Sequence, residues 1–206
     1  MDQKKESYGL IILCAGKSER MGQVKQLLPY AGKTVLHHLL SSLPLELFAE
    51  VFFITGYHHD CFLPIIEEYC EKKEIKVYRN YAHKDGQFES IRVGLRAAMV
   101  CGASGVFVAL SDMPLITKET FETLIKQAEK STALFLLPVY KKKRGHPVFF
   151  KKQLFQEILA YDGKDGLRGF FRSYTEKGDF IAVNDPGILK DLDRPGDLKY
   201  LLQSQP

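Results

Sequence analysis

Short, continuous apolar runs recur along this chain, and stretches of helical periodicity separate them. Residues 8–14, 51–55, 75–79, 106–110, 133–140, 148–150 and 179–183 read as strands. Several of these runs lack period-two alternation, as strands covered on both faces do. Helical patterns lie at residues 34–43, 87–100, 118–130, 151–160, 166–174 and 197–202. In the second of these, Phe88, Ile91, Leu95, Ala98 and Met99 form an apolar stripe suited to packing on a sheet. Residues 60–71 make a weaker helix, because they contain Pro64 and an interior proline costs about 3 kcal/mol. Such alternation implies an α/β fold: a three-layer α/β/α sandwich around a Rossmann-like, mostly parallel sheet. Residues 134–140 and 148–150 flank Lys141-Lys142-Lys143-Arg144-Gly145-His146-Pro147, which reads as a small β-ribbon excursion with a basic tip. With no linker, low-complexity tract or internal repeat, one domain over residues 1–206 is the expectation.

Open parallel sheets bind ligands beyond the carboxyl ends of their strands. That rule places three loops on one rim, those following Leu13, Asn80 and Leu110. The first is the richest. Residues 10–26 read LIILCAGKSERMGQVKQ, an apolar run that breaks into a glycine-bearing loop carrying Lys17, Arg20 and Lys25. Free backbone N–H groups and cations after a buried strand suit an anion. The loop is neither a Walker A sequence nor G-x-G-x-x-G, so it is a third solution to holding a nucleoside triphosphate.

The loop after Leu110 begins Ser111-Asp112-Met113-Pro114. Asp112 sits on the rim, where Mg²⁺ takes one or two carboxylates plus substrate phosphates. It is too far upstream to cap the helix near residue 118, for which Thr117 is the better N-cap. Asp191 and Asp193 would share one side of a short extended segment. Asp193 alone reads as a helix cap, and pairing with Asp112 across the rim would make it a ligand. In the loop after Asn80, Asp85-Gly86 signals a turn leading into a helix whose N-terminus faces the rim, and Ser90 is either a ribose or base contact or an ordinary first-turn residue. His146 is either a structural histidine or part of a tip that attracts an anionic acceptor.

Composition narrows the function classes. The chain is 45% hydrophobic and 26% charged with a net charge of +4, too small and too dispersed for nucleic-acid wrapping. Cys14, Cys61, Cys70 and Cys101 show no metal-ligand spacing and read as free thiols in a reducing compartment. The first ten residues lack the apolar core of a signal peptide, and no run approaches the roughly 18 apolar residues of a membrane span. A cytoplasmic protein is the expectation.

Together these motifs resemble the molybdenum cofactor nucleotidyltransferases of the MobA-like NTP-transferase superfamily, and within it the cytidylyltransferase (MocA-like) group. The resemblance rests on residues 13–40, LCAGKSERMGQVKQLLPYAGKTVLHHLL, then on Asn80 with Gly86 and Ser90, Ser111-Asp112-Met113-Pro114, Gly145-His146-Pro147-Val148, and Asn184-Asp185-Pro186-Gly187-Ile188 running into Asp191-Leu192-Asp193. It spans nearly the whole chain. It implies the nucleotide-diphospho-sugar transferase type of sheet and transfer of CMP from CTP to molybdenum cofactor, with release of pyrophosphate.

By the same resemblance, Ala15, Gly16, Arg20 and Lys25 would cradle the triphosphate, with Leu13, Cys14, Asn80, Gly86, Ser90 and Ser111 completing the nucleotide set. Arg20, Lys25 and Asp112 would be catalytic. Asp112 and Asp193 would hold Mg²⁺, and Gly145, His146 and Pro147 would face the pterin. A molybdenum hydroxylase would receive the product. Two departures stand out: Cys14 replaces a small residue, and the acid of Gly163-Lys164-Asp165-Gly166 comes one place late. The rival readings are GTP or another phosphorylated acceptor on the same fold, and a non-catalytic molybdenum cofactor carrier. A Rossmann oxidoreductase would need an acid at the end of residues 51–55, and none is there.

Overall fold

The computed structural model describes residues 7–71, 73–194 and 196–197. Its strands, in chain order, are β1 (Tyr8–Cys14), β2 (Pro29–Tyr30), β3 (Lys33–Thr34), β4 (Glu50–Thr55), β5 (Ile75–Arg79), β6 (Gly105–Leu110), β7 (Phe135–Tyr140), β8 (Lys143–Arg144), β9 (Val148–Lys151) and β10 (Gly178–Ala182). The α-helices are α1 (Val35–Ser42), α2 (His59–Cys70), α3 (Gln87–Val100), α4 (Lys118–Lys130), α5 (Phe155–Ala160) and α6 (Gly166–Ser173). The main sheet runs β10-β7-β9-β6-β1-β4-β5, and β2 and β3 form a separate ribbon.

β1 is buried at every position because it lies between β4 and β6, parallel to both. Its side chains alternate between two cores. Leu10 and Ile12 join Leu36 and Leu39 of α1, Phe62 of α2 and Phe121 of α4 on one face. Ile11 and Leu13 join Ile91 and Leu95 of α3, Phe155 of α5 and Phe170 of α6 on the other. Each fully buried Leu, Ile or Phe contributes about 1.5–3 kcal/mol, so the sandwich is stabilised from both sides.

Three elements differ from expectation. The segment with Pro64 is fully helical, because Phe62, Ile65 and Ile66 are buried beneath it and together outweigh about 3 kcal/mol. The supposed ribbon excursion belongs to the main sheet: β9 runs antiparallel between β6 and β7 and is the reversed strand in an otherwise parallel central array. Only the β7–β8 turn projects, with Lys141 and Lys142 both at positive φ, as a two-residue type I′ hairpin demands. The helical segment at 151–160 opens with a 3-10 turn at Lys152–Leu154, after Lys151 closes β9, and becomes α-helical at Phe155. The expected helix at 197–202 lies outside the described residues, apart from Asp197. Among the described residues, no helix is long and apolar enough to cross a membrane.

Candidate active site

A cavity of about 280 Å³ opens beyond the carboxyl ends of β1 and β6 and against the N-terminus of α3. Leu13, Cys14, Ala15 and Gly16 form one wall, Gly86 and Ser90 another, and Ser111, Asp112 and Lys25 the third. The three rim loops therefore meet. A larger cavity of about 370 Å³ beside Tyr30, His37 and Tyr69 holds none of the expected residues. There Glu68 pairs with both Lys33 and His37.

Local packing explains how the first wall is held. A Cβ at Gly56 would fall 2.6 Å from the Ala15 carbonyl oxygen, so only glycine lets β4 and the first loop approach this closely. Gly16 has an ordinary φ, and a Cβ there would touch nothing in the protein. Gly86 precedes α3 at φ 103°, a region that favours glycine, and turns the first helical N–H groups toward the cavity. Asn80 is buried behind that wall. Its Nδ2 donates to Ser90 Oγ at 3.0 Å and its Oδ1 accepts from the Ala82 N–H at 2.9 Å, so it shapes the loop without lining the cavity.

Asp112 and Asp193 are brought together by the backbone, since the Leu192 N–H donates to the Asp112 carbonyl at 2.9 Å. Leu192 is buried with Met21, Leu28, Tyr30 and Val35, which turns Asp193 toward the rim. Lys25 Nζ lies 2.6 Å from Asp112 Oδ2 and 3.2 Å from Asp193 Oδ1. Arg20 closes the network with an ion pair to Asp193, but its side chain is 73% exposed and stands outside the cavity lining.

Burial works against the charged forms of Lys25 and Asp193, yet their partners prevail. The pKa of Lys25 is raised, mainly by Asp112, and that of Asp193 is lowered by Lys25 and Arg20. Asp112 Oδ1 is buried with no hydrogen-bond partner among the described residues.

Cys14 has its pKa pushed up to about 12, first by burial and then by the Asp112 charge, against a lowering hydrogen bond from Ser111. It is an inert wall residue.

The Gly145-His146-Pro147 segment does not line the cavity. It is anchored structurally: Gly145 packs against the Ile188 backbone, and the His146 N–H donates to the Ile188 carbonyl at 3.2 Å. His146 Nδ1 lies 3.3 Å from the Val108 carbonyl. Burial of the ring lowers its pKa although the residue keeps some exposed surface. Asp165 is paired with Arg172, away from the cavity.

Sequence reasoning missed Gln26, His83 and Gln87, all of which line the cavity. Gln26 adjoins Lys25, and His83 and Gln87 flank Gly86, so proximity to chosen residues was the available signal. Thr117 is the N-cap residue of α4, as expected, although its side chain makes no cap hydrogen bond among the described residues. Asp185 braces this end of the helix, accepting from the Thr117 N–H at 2.9 Å and from Thr120 Oγ1 at 2.7 Å.

A pocket built from a strand–loop wall, a helix N-terminus, a buried lysine and Asp112, with Asp193 on the same lysine but outside the lining, suits a nucleoside polyphosphate. Residues 10–178 match the model of the MobA-like NTP transferase domain. The chain belongs to this family and is a nucleotidyltransferase of that type. It is 26% identical over 189 residues to the purine catabolism protein PucB of Bacillus subtilis, covering 90% of this chain and 91% of that protein. It is 24% identical over 189 residues to the molybdenum cofactor cytidylyltransferase of Escherichia coli, covering 91% of each. A probable molybdenum cofactor guanylyltransferase of Methanosarcina acetivorans is 28% identical over 165 residues, 77% of this chain and 71% of that one. Among solved structures, Rv0371c of Mycobacterium tuberculosis superposes with a TM-score of 0.79 at 25% identity, covering 97% of this chain and 98% of that one.

Proposed function

We propose that this nucleotidyltransferase transfers CMP from CTP to the terminal phosphate of molybdenum cofactor, releasing pyrophosphate. The observation that carries the reading is the convergence of Lys25, Asp112 and Asp193 at the mouth of a cavity walled by the first loop and the α3 N-terminus. The choice of CTP is supported by likeness to the Escherichia coli cytidylyltransferase over most of both chains.

The reaction asks for positioning and charge neutralisation. An oxygen of the acceptor phosphate bonds to the α-phosphorus of CTP, and the bond to the β-phosphate oxygen breaks with departure of pyrophosphate. Gly16 and its neighbours leave room for the phosphates along the first loop. Lys25, freed from the carboxylates, would offset charge on the leaving group, with Arg20 approaching from outside. Gly145, His146 and Pro147 stand beyond the cavity on the β9 side and would meet the pterin end of the acceptor.

Mg²⁺ fits the residues present. Asp112 has a buried oxygen without a hydrogen-bond partner among the described residues and Asp193 faces it across Lys25, the pair of carboxylates Mg²⁺ uses when phosphates complete its shell. When bound, the ion would neutralise phosphate charge. The product would pass to a molybdenum hydroxylase.

A guanylyltransferase is the second reading, favoured by the Methanosarcina relative. Pyrophosphate release with Mg²⁺ and intact molybdenum cofactor, compared for CTP, GTP, ATP and UTP, decides between them. Release with CTP alone supports the first reading and release with GTP alone the second. Release with no nucleotide overturns both and leaves a cofactor carrier or transfer to a different phosphorylated acceptor.

A further inference from the structure

Gln26 is 3% exposed, lines the cavity, and has no place in the phosphate or metal machinery described above. Its Nε2 donates to Ser111 Oγ at 3.0 Å, and its Oε1 is buried without a hydrogen-bond partner among the described residues. A buried amide oxygen left unpaired forfeits its hydration with nothing in return, so it is unfavourable. A position needing only bulk would be filled by leucine or methionine at no such cost, so the carboxamide points to a ligand group.

The chemistry of that group can be narrowed. An amide oxygen accepts hydrogen bonds, and a triphosphate offers only acceptors, so the phosphates cannot satisfy it. A nucleotide has two kinds of donor, the sugar hydroxyls and the N–H groups of the base. Ser111, which holds Gln26, follows β6, whereas Asn80, which shapes the opposite wall, follows β5. The sheet order β6-β1-β4-β5 separates those strand ends by three spacings, about 14 Å. Gln26 is thus at the Lys25 and Asp112 end, beside the reacting phosphate, where the nucleotide carries its sugar. A hydroxyl both donates and accepts, so it pairs with either end of a carboxamide.

We propose that Gln26, held by Ser111, binds a ribose hydroxyl and makes this enzyme discriminate ribonucleotides from deoxyribonucleotides. The inference rests on the cavity being the nucleotide site and does not depend on which base or acceptor is used.

The test compares CTP, 2′-deoxy-CTP and 3′-deoxy-CTP in the full-length wild type and in Gln26→Met, which preserves side-chain length and removes both polar atoms. Calorimetric binding in the presence of Mg²⁺ is read beside kcat/KM, with thermal melting to confirm that the variant folds. The wild type is expected to prefer CTP over one deoxy analogue by about tenfold or more, since sites that pair a hydroxyl reject ligands lacking it. In Gln26→Met that preference is expected to vanish, with affinity falling for CTP and unchanged for the analogue. An equal loss for all three nucleotides, or a preference that survives, overturns the proposal and leaves the nucleotide site standing. If GTP binds and CTP does not, the same comparison with deoxy-GTP decides the matter and only the base assignment fails. Failure of the wild type to bind any nucleotide overturns both readings.

Discussion

The ammonium of Lys25 sits 2.6 Å from the carboxylate of Asp112, although 87 residues separate them in sequence. In the free protein Lys25 neutralises Asp112 through Oδ2, beside the Oδ1 that a divalent metal would take, and the carboxylate neutralises the cation that a phosphate would take. A metal and a phosphate would each compete with this ion pair for charge. Mn²⁺ titrated onto the protein without nucleotide is expected to bind weakly in the wild type and several-fold more tightly in Lys25→Gln, where the cation held between both carboxylates is gone and only Arg20 remains on Asp193. Equal metal affinity in the two proteins would contradict this competition.

Turnover tests the same pair from the other side. Asp112→Asn keeps shape and removes charge, and Lys25→Met removes the buried ammonium. Each is expected to lower kcat by about 10²–10³, or about 2.7–4 kcal/mol, by analogy with the loss of an oxyanion donor. Arg20→Ala should cost less, because that side chain is 73% exposed and its charge is screened. Steady-state pyrophosphate release ranks the three, and near-normal turnover in Asp112→Asn would remove Asp112 from the machinery.

Much of this arrangement was readable beforehand, and the residues show why. The runs at β1, β5 and β6 and the stripe of α3 carry their periodicity locally, so their boundaries emerged from the chain alone. Asp112 was legible as a carboxylate directly after a buried strand. Its union with Asp193 was readable only as a condition, because it is made by the Leu192 N–H reaching the Asp112 carbonyl, a long-range bond with no local signal. The insertion of β9 between β6 and β7 was hidden for the same reason, since sheet order is decided by pairing rather than periodicity. Gln26 was overlooked because its significance is an unpaired atom, which only packing reveals.

Asp185 is 3% exposed and accepts from the Thr117 N–H, Thr120 Oγ1 and the Gly187 N–H. It ties the loop before Asp191 to the start of α4. Asp185→Ala leaves several donors unpaired in the interior and is expected to cost about 2–4 kcal/mol. Denaturant unfolding measures that cost, and a loss below about 0.5 kcal/mol, the size typical of a surface change, would refute the role.

Cys14 offers a chemical check on the cavity wall. With its pKa raised to about 12, mainly by burial, on the order of one thiol in 10⁴ is ionised at pH 8. A thiol reagent applied to the native protein should label the exposed Cys61 and Cys70 and leave Cys14 unmodified until the chain unfolds. Peptide mapping after brief labelling reads the result directly. Rapid native labelling of Cys14 would show that the wall is open.

His146 links the Gly145-His146-Pro147 segment to acid stability. Burial lowers its folded pKa below the unfolded value of about 6.5, so the unfolded chain binds the proton more readily. The stability gained from keeping the ring neutral is complete above about pH 6.5 and is lost as pH falls from there through the folded pKa. The neutral ring bonds the Val108 carbonyl through Nδ1, on the strand that leads into Asp112. His146→Gln keeps a donor near that carbonyl and removes the titration. The wild type should therefore lose more melting temperature than the variant between pH 7.5 and pH 5.5. His38 has its pKa lowered by burial too and titrates equally in both proteins, so its effect cancels in the comparison. Parallel melting curves for the two proteins across that range would mean that His146 does not carry the acid sensitivity.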